Sequence, residues 1–452
     1  MSKKSRHQEP RLPSGFRDLH PDECAGRDWM IERVCDVYKS FGFVPLDTSC
    51  VEYLNILVSG HEEGGEKQIY RLFKDSLPAP RKTTALRFEL TASLARYLGQ
   101  HIDRLPLPFK RYQSGYVWRG ERPQRGRFRQ FLQFDVDTVG VQHPMADTEI
   151  IEVIYRSMEA IGIGDFSIQI SSRQLLSSLA RTIGLITSED QIRFFRILDK
   201  HDKIGTHKLL QLCAEPYDNN GLGFKGKQID ILERLITLEG SNSEKVESLA
   251  GILQSSDATT GLNEIETILG LWSRVAVRHP EYVRFVPHLA RGLDYYTGAI
   301  FETIITGQES IGSVMSGGRY DGLIGHFLNR DLPAVGVSMG IDRLFVALKE
   351  MELLRDSASS CTVLISILQQ DDSALMFELA STLRNAGISA ELYLGSRYAF
   401  REQIKYAASR GIPYLLIQGE DERNRGTVSL RDLSSREQTE CSLDQAIFRL
   451  RS

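Results

Sequence analysis

Trp118-Arg119-Gly120-Glu121-Arg122-Pro123-Gln124-Arg125-Gly126-Arg127-Phe128-Arg129-Gln130-Phe131 is the most cationic stretch of the chain, with five arginines in eleven residues. Strand-like runs flank it at residues 112–118 and 130–137, and Pro123 to Gly126 marks a loop between them. The pattern predicts an antiparallel hairpin. Side chains alternate faces on a strand, so Arg127 and Arg129 are expected on one side and Phe128 on the other. Arginine forks suit a polyphosphate, and Phe131 offers a flat face to a purine. A solvated basic turn is the plainer alternative. The interleaved Glu121, Gln124, Gln130 and Gln133 argue against it, because they add directed hydrogen bonding to charge.

Outward from the hairpin, residues 22–41 read as an amphipathic helix, with Met30, Ile31, Val34, Tyr38 and Phe41 at helical spacing and Gly42 as its stop. Residues 43–48 begin an extended segment. Further strand-like runs lie at 84–86, 299–306 and 334–339, with helices at 92–99 and 145–161 between them. Hairpin-like strands with occasional helices favour an α+β fold, an antiparallel sheet with flanking helices. Residues 172–278 change texture: 174–183, 188–199, 227–238 and 243–253 all read as helices, and Ser188 to Gln191 reads as a capping box. This block is a helical insertion within a domain of residues 1–350. Its Gly221-Leu222-Gly223-Phe224-Lys225-Gly226 matches GxGxxG, but no strand precedes it, so a loop is expected rather than a dinucleotide site. The small polar stretch 355–360 marks a boundary. Beyond it strands at 362–368, 389–394, 414–417 and 427–433 alternate with helices at 374–386 and 398–410, predicting a small α/β domain over 361–452.

At 452 residues the chain has room for two to four domains of ordinary size. A net charge of −4 means that any nucleic-acid contact must come from local basic patches. The six cysteines are scattered without a CxxC pair, which fits free thiols in a reducing cytoplasm and neither a zinc site nor a disulfide framework. The basic residues 1–10 have no apolar stretch behind them, and no run approaches the ~20 apolar residues of a membrane span. These features predict a cytoplasmic protein with no membrane segment.

Two more segments carry chemistry. Arg291-Gly292-Leu293-Asp294-Tyr295-Tyr296-Thr297-Gly298 and Gly317-Gly318-Arg319-Tyr320-Asp321-Gly322-Leu323 each set charged and aromatic residues between glycines. Glycines let backbone approach a ligand, and tyrosines offer a ring with a hydroxyl. Tight turns with solvated charges are the plainer reading of either segment alone.

Taken together, these stretches resemble the histidyl-tRNA synthetase family of class II aminoacyl-tRNA synthetases. The arginine hairpin resembles motif 2, and residues 334–344, a strand running into a helix, resemble motif 3. Residues 291–298 and 317–323 are similar to the two histidine-specific segments, residues 15–19 to the family's N-terminal segment, and the last ~90 residues to its anticodon-binding domain. Thr48 to Glu52 falls in the motif 1 region that builds a dimer interface, with Ser49 where the family usually has Pro.

The resemblance implies a site residue by residue. Glu89 and Thr91 would hold the histidine ammonium, for which a carboxylate and a hydroxyl are apt acceptors. Arg119 would bridge the substrate carboxylate and the α-phosphate of ATP. Glu121, Arg127, Phe131 and Arg343 would hold the nucleotide. Gln133 and Asp137, four apart on one strand, share a face; Asp137 with Tyr295 and Tyr296 would read the imidazole, supported by Tyr320. Arg291 would be the main electrostatic catalyst, assisted by Arg119 and by Mg²⁺ carried on the phosphates, with no dedicated protein metal site. The implied partners are L-histidine, ATP, tRNA(His) and a second copy of the chain. The competing readings are a non-catalytic regulatory relative, which typically lacks the Arg291 segment and the C-terminal domain, and a tRNA-binding sensor, which would need an added signalling domain.

Overall fold

Along residues 109–118 every second side chain turns inward, and this alternation sets the register of the main sheet. The computed structural model describes residues 10–451 apart from 59–64, 74–82, 220, 254, 277–278, 292–295, 329, 355–360, 370–371 and 396. Two units are distinct, the larger of Met1–Asp18 with Trp29–Leu353 and the smaller of Leu19–Asp28 with Leu354–Ser452. In chain order the first part carries α1 (Pro21–Ser40), β1 (Val44–Pro45), β2 (Val51–Tyr53), α2 (Leu54–Val58), β3 (Arg71–Leu72), β4 (Thr84–Leu86) and α3 (Thr91–His101). Then come β5 (Phe109–Trp118), β6 (Gln130–Val139), α4 (Met145–Ala160) and β7 (Phe166–Ser172). Six helices follow: α5 (Arg173–Thr182), α6 (Ser188–Leu198), α7 (His201–Ala214), α8 (Lys227–Ile236), α9 (Asn242–Ile252) and α10 (Ser256–Val275). The chain then rejoins the sheet with β8 (Val283–Phe285), β9 (Ala299–Ile305), β10 (Met315–Arg319) and β11 (Ala334–Gly340), which runs into α11 (Ile341–Glu350).

The main sheet has the order β1-β5-β6-β11-β10-β9-β7-β8. Its central pairings are antiparallel, as expected, but the outermost pairs β1–β5 and β7–β8 are parallel, so the sheet is mixed. Strands β2, β4 and β3 form a separate small sheet. Helix α1 buries Met30, Val34 and Tyr38 completely, with the Tyr38 ring 4.8 Å from that of Phe134 on β6. Helix α4 buries Ile150, Ile154 and Met158. Each such side chain contributes about 1.5–3 kcal/mol of transfer free energy, and together they hold the sheet rigid beneath its open face.

At the sheet centre glycine is a steric necessity. A Cβ on Gly336 would lie 2.0 Å from Asp137 Oδ1, and one on Gly317 would lie 2.1 Å from the Gly336 carbonyl oxygen. Residues 315–319, the first part of which the sequence reading did not assign and the rest of which it offered as a pocket wall or a tight turn, are a strand whose glycines permit close backbone packing.

The helical block differs from expectation in detail. The cap of α6 is Thr187, whose side chain accepts from the Asp190 amide, so the box does not begin at Ser188. The capping box of this region is Ser241 with Glu244 at the start of α9. Helices α7 and α10 escaped the sequence reading. Gly205 (φ 75°) breaks the first, while threonines and glycines dilute the periodicity of the second. Gly261 of α10 sits against Leu175 of α5, where a Cβ would be 2.9 Å from Leu175 Cγ. The GxGxxG stretch is a loop, with Gly223 and Gly226 at positive φ.

The second unit comprises β12 (Val363–Ile365), α12 (Ser373–Asn385), β13 (Ala390–Leu392), α13 (Phe400–Ser409), β14 (Tyr414–Ile417), α14 (Glu420–Arg425), β15 (Val428–Asp432), β16 (Gln438–Cys441) and α15 (Leu443–Arg451). Its sheet runs β13-β12-β14-β15-β16, parallel for the first three strands and antiparallel after them. Val363, Met376, Leu383 and Leu416 lie at its core. The last strand and the helices α14 and α15 were not read from sequence, although Leu443, Ala446, Ile447 and Leu450 of α15 fall at helical spacing and pack into this core. Among the described residues no helix is long and apolar enough to cross a membrane.

The central glycines give a direct test. Gly317→Ala forces backbone apart at β10–β11 and is expected to destabilise the protein by about 1–3 kcal/mol, read as a lowered melting temperature; an unchanged melting temperature would refute the steric account.

Candidate active site

Strand β6 runs across the centre of the sheet, and its period of two places Gln133, Asp135 and Asp137 on one face. All three line a cavity with Glu89, Thr91, Arg119, Tyr296 and Tyr320. The floor is backbone at Gly317 and Gly336, with Ser316 and Ser338 beside it. Seven of the residues assigned from sequence to the amino acid thus converge here. Tyr295 lies outside the described residues.

Three carboxylates, Glu89, Asp135 and Asp137, share this cavity and are almost wholly removed from solvent. Their counter-charge is Arg111 on β5, directly opposite Asp137 in the ladder and so on the same face of the sheet. The Arg111 side chain is 0% exposed and its Nη2 lies 2.7 Å from Asp137 Oδ2. That approach does not meet the angles of a directed hydrogen bond, so the attraction is mainly coulombic. Asp137 Oδ1 also accepts from the Tyr320 hydroxyl. Burial pushes the Asp137 carboxyl up, while Arg111 and Tyr320 pull it down. Burial pushes Asp135 up to about 7, with Arg111 opposing and Asp137 reinforcing the rise.

Asp135, Arg111 and Ser338 were missed in the sequence. Asp135 falls on the same period of two as Gln133 and Asp137, so that signal was available. Arg111 could be found only through the strand register.

A second cavity adjoins the first, sharing Arg119, Gln133, Ser316 and Ser338 with it. Glu121, Arg127, Phe128, Phe131 and Arg343 supply the rest of its character. Arg119 is clamped: its guanidinium lies 4.4 Å from the Phe88 ring centroid and 5.2 Å from that of Phe131, and its Nε donates to the Phe88 carbonyl at 3.2 Å. Arg343, the first-turn arginine of α11, donates to the Ser313 carbonyl. Burial, and then the positive charges of Arg127 and Arg119, lower its guanidinium to about 10. Three arginines that mutually repel around one cavity make a site that an anion would relieve.

The loop between β5 and β6 is irregular, so the strict alternation expected for Arg127, Phe128 and Arg129 does not hold. Arg127 and Phe128 both line the cavity. Arg129 instead ties the loop to the N-terminal segment, donating to the Glu121 and Ser14 carbonyls, while its amide donates to Gly15. Arg17 completes the strap, pairing with Asp342 at 2.6 Å and lying 4.2 Å from the Phe128 ring. Asp342 in turn accepts from the Leu132 amide.

Arg291 stands apart from the lining of both cavities. Its Nη1 pairs with Asp199 at 2.6 Å, Nη2 with Asp202 at 3.2 Å, and Nε with Glu302 at 2.8 Å. Burial works against its charge, but Glu302 and Asp199 outweigh that and hold its pKa above the usual arginine range. Glu302 on β9 faces Ser316 on β10, which lines both cavities, so this arginine is one strand removed from them. Arg319, in the second glycine-rich segment, is structural: it pairs with the buried Asp147. Among the described residues no three His, Cys, Asp or Glu side chains cluster as metal ligands.

A mixed sheet carrying an arginine loop, a strand-to-helix arginine and an adjoining acidic pocket defines a class II aminoacyl-tRNA synthetase. Comparison with known proteins agrees. A family model described as histidyl-tRNA synthetase matches residues 15–344, and one described as anticodon binding domain matches residues 362–452. The histidine–tRNA ligase of Wolinella succinogenes is 37% identical over 436 residues, covering 96% of each chain. The crystal structure of histidyl-tRNA synthetase from a Nostoc species superposes with a TM-score of 0.84 at 30% identity, over 98% of this chain and all of that one. A Bacillus halodurans structure described as an ATP phosphoribosyltransferase regulatory subunit/histidyl-tRNA synthetase, at 21% identity, covers 90% of this chain and 98% of its own with a TM-score of 0.72, and shares the fold. The chain belongs to the histidyl-tRNA synthetase family.

The buried charges generate two predictions. Arg111→Met leaves Asp137 uncompensated and is expected to cost about 3–5 kcal/mol of stability; urea unfolding with an unchanged midpoint would contradict this. The second concerns pH. An unfolded Asp titrates near about 3.9, whereas folded Asp135 titrates at about 7. The folded state therefore binds more protons between these values. The associated stability is full below the unfolded pKa and is lost as pH rises through 7. Glu264, at about 7, and Asp147, at about 6, act in the same direction. The melting temperature should fall between about pH 4 and pH 7 and level off above it, and Asp135→Asn should make that fall shallower.

Proposed function

We propose that the acidic cavity takes L-histidine, that the arginine cavity takes ATP, and that they are the two halves of one adenylation site. As a member of its family, the chain attaches L-histidine to tRNA(His) through a histidyl-adenylate, releasing AMP and diphosphate. The observation that carries the residue-level reading is the shared wall: Arg119, Gln133, Ser316 and Ser338 border both cavities, where an amino-acid carboxylate and an α-phosphate would meet.

In this reading Glu89 and Thr91 accept from the histidine ammonium. Gln133 Oε1, buried and without a hydrogen-bond partner among the described residues, accepts another N–H of the amino acid. Asp137 with Tyr296 and Tyr320 surrounds the imidazole, and Tyr295 belongs with them. Polar recognition of this kind rejects apolar analogues strongly. Arg119 neutralises the carboxylate and α-phosphate together, while Glu121, Arg127, Phe131 and Arg343 hold the rest of the nucleotide. The histidine carboxylate attacks the α-phosphorus as the bond to diphosphate breaks. A terminal ribose hydroxyl of tRNA(His) then attacks the acyl carbon and AMP leaves. Neither step needs a protein nucleophile, so positioning and charge neutralisation dominate.

Arg291 supplies further positive charge once substrate anions compete with Asp199 and Asp202 for its guanidinium. Mg²⁺ commonly binds through one or two carboxylates plus substrate phosphates. The donor set fits that mode: Glu121, paired only loosely with Arg127 at 3.6 Å, is the carboxylate available at the nucleotide cavity. When bound, the ion would offset phosphate charge.

Residues 1–350 form the catalytic domain in this assignment, interrupted by the insertion at about 172–278, and residues 361–452 read the anticodon. Exposed Arg401 and Lys405 on α13 suit that contact. The working unit is a homodimer, supported by the exposed apolar residues Val44, Val51, Tyr53 and Leu72 around the motif 1 region. The site of action is the cytoplasm.

The test is histidine-dependent exchange of pyrophosphate into ATP by the purified chain. Exchange is expected, and Arg291→Ala should reduce it by orders of magnitude while the circular dichroism spectrum persists. Absence of exchange at saturating histidine would sink the adenylation reading.

A further inference from the structure

Gln133 has an amide whose two ends are chemically opposite, and something must decide which end meets the ligand. Its Nε2 donates to Ser338 Oγ at 2.8 Å, and Ser338 Oγ donates to Asp135 Oδ1 at 2.5 Å. Gln133 Oε1 is left buried, with no hydrogen-bond partner among the described residues. The three side chains come from two adjacent strands, with Gln133 and Asp135 on β6 and Ser338 directly across from Asp135 on β11.

From these contacts we infer that Asp135 is a positioning residue which, acting through Ser338, fixes Gln133 with its carbonyl toward histidine. The inference rests on reading the acidic cavity as the histidine pocket. Above pH 7, where Asp135 is ionised, its carboxylate only accepts, and a serine hydroxyl has a single proton. Once that proton is committed to Asp135, Ser338 can only accept from its other neighbour. The amide must then turn its NH₂ toward Ser338, since the reverse orientation would set two acceptors against each other and leave a buried NH₂ unpaired. Every N–H that histidine brings, whether ammonium or imidazole, therefore meets an acceptor at Gln133. Polarity imposed at Asp135 passes along two hydrogen bonds to the ligand.

The experiment is pyrophosphate exchange by the full-length protein at pH 8, where Asp135 is ionised, with separate histidine and ATP titrations. Asp135→Asn and Ser338→Ala are each expected to raise the KM for histidine about tenfold or more, a larger change than either makes in the KM for ATP. Ser338→Thr keeps the hydroxyl and should retain the wild-type histidine KM. If Asp135→Asn does not fold, the two Ser338 variants decide alone. Two results would overturn the relay: a wild-type histidine KM in Ser338→Ala, which would leave Asp135 acting by charge only, or equal losses in Ser338→Ala and Ser338→Thr. Wild-type protein without histidine-dependent exchange would remove the functional reading itself, an outcome separate from failure of the relay.

Discussion

A guanidinium buried at the centre of a sheet is the constraint on which the site depends. Arg111 is sealed on β5 beside β6, and it is the positive charge that lets Asp135 and Asp137 share a dry face. Isolated charges in such surroundings are costly, and breaking one partner of a pair costs more than the pair itself contributes. The arrangement needs the β5–β6 register that sets Arg111 opposite Asp137 and the glycine at 336 that leaves room for the carboxylate. Packing below the sheet, by Tyr38 against Phe134 and by α4, keeps those strands from shifting.

The two cavities have opposite electrical character although they share a wall. One gathers carboxylates against a single sealed arginine; the other gathers Arg119, Arg127 and Arg343, whose mutual repulsion helps to lower the last of them. An amino acid offers an ammonium at one end and a carboxylate at the other, and ATP offers only negative charge. On the proposed assignment, matching these to the cavities would orient both molecules before any chemistry. Arg119 stands at the junction with little freedom, held over Phe88 and bonded to its carbonyl. A charge fixed in advance stabilises a developing transition state without reorganisation.

Much of this was legible in the sequence, for reasons that particular residues make plain. Strands β5, β6, β9 and β11 followed from patterning, while β7, β8 and β10 did not; the helix carrying Arg343 followed from the resemblance to motif 3, and Gln133 with Asp137 share a face by a period of two. What escaped depends on contacts distant in the chain. Arg127 and Arg129 look alike in sequence; only the Ser14 and Gly15 carbonyls, more than a hundred positions earlier, assign the second to anchoring the loop. Arg291 reads as a free catalytic arginine until Asp199, 92 positions away, is seen to bind it. Arg319, between glycines, looked equally available, yet it is committed to Asp147. Arginine clusters announce a charged site but do not say which members serve it.

The pairing of β6 with β11 also bears on how the protein is made. Gln133 and Ser338 touch across that pairing but are 205 positions apart, with the whole helical insertion between them. Contacts of such long separation form late, because loop closure must be met before they contribute. On the ribosome the acidic face of β6 emerges long before the strand that walls it, and no fragment ending ahead of β11 can hold both substrates. On the proposed assignment, a nascent chain would not activate histidine until synthesis has passed the last wall of the pocket.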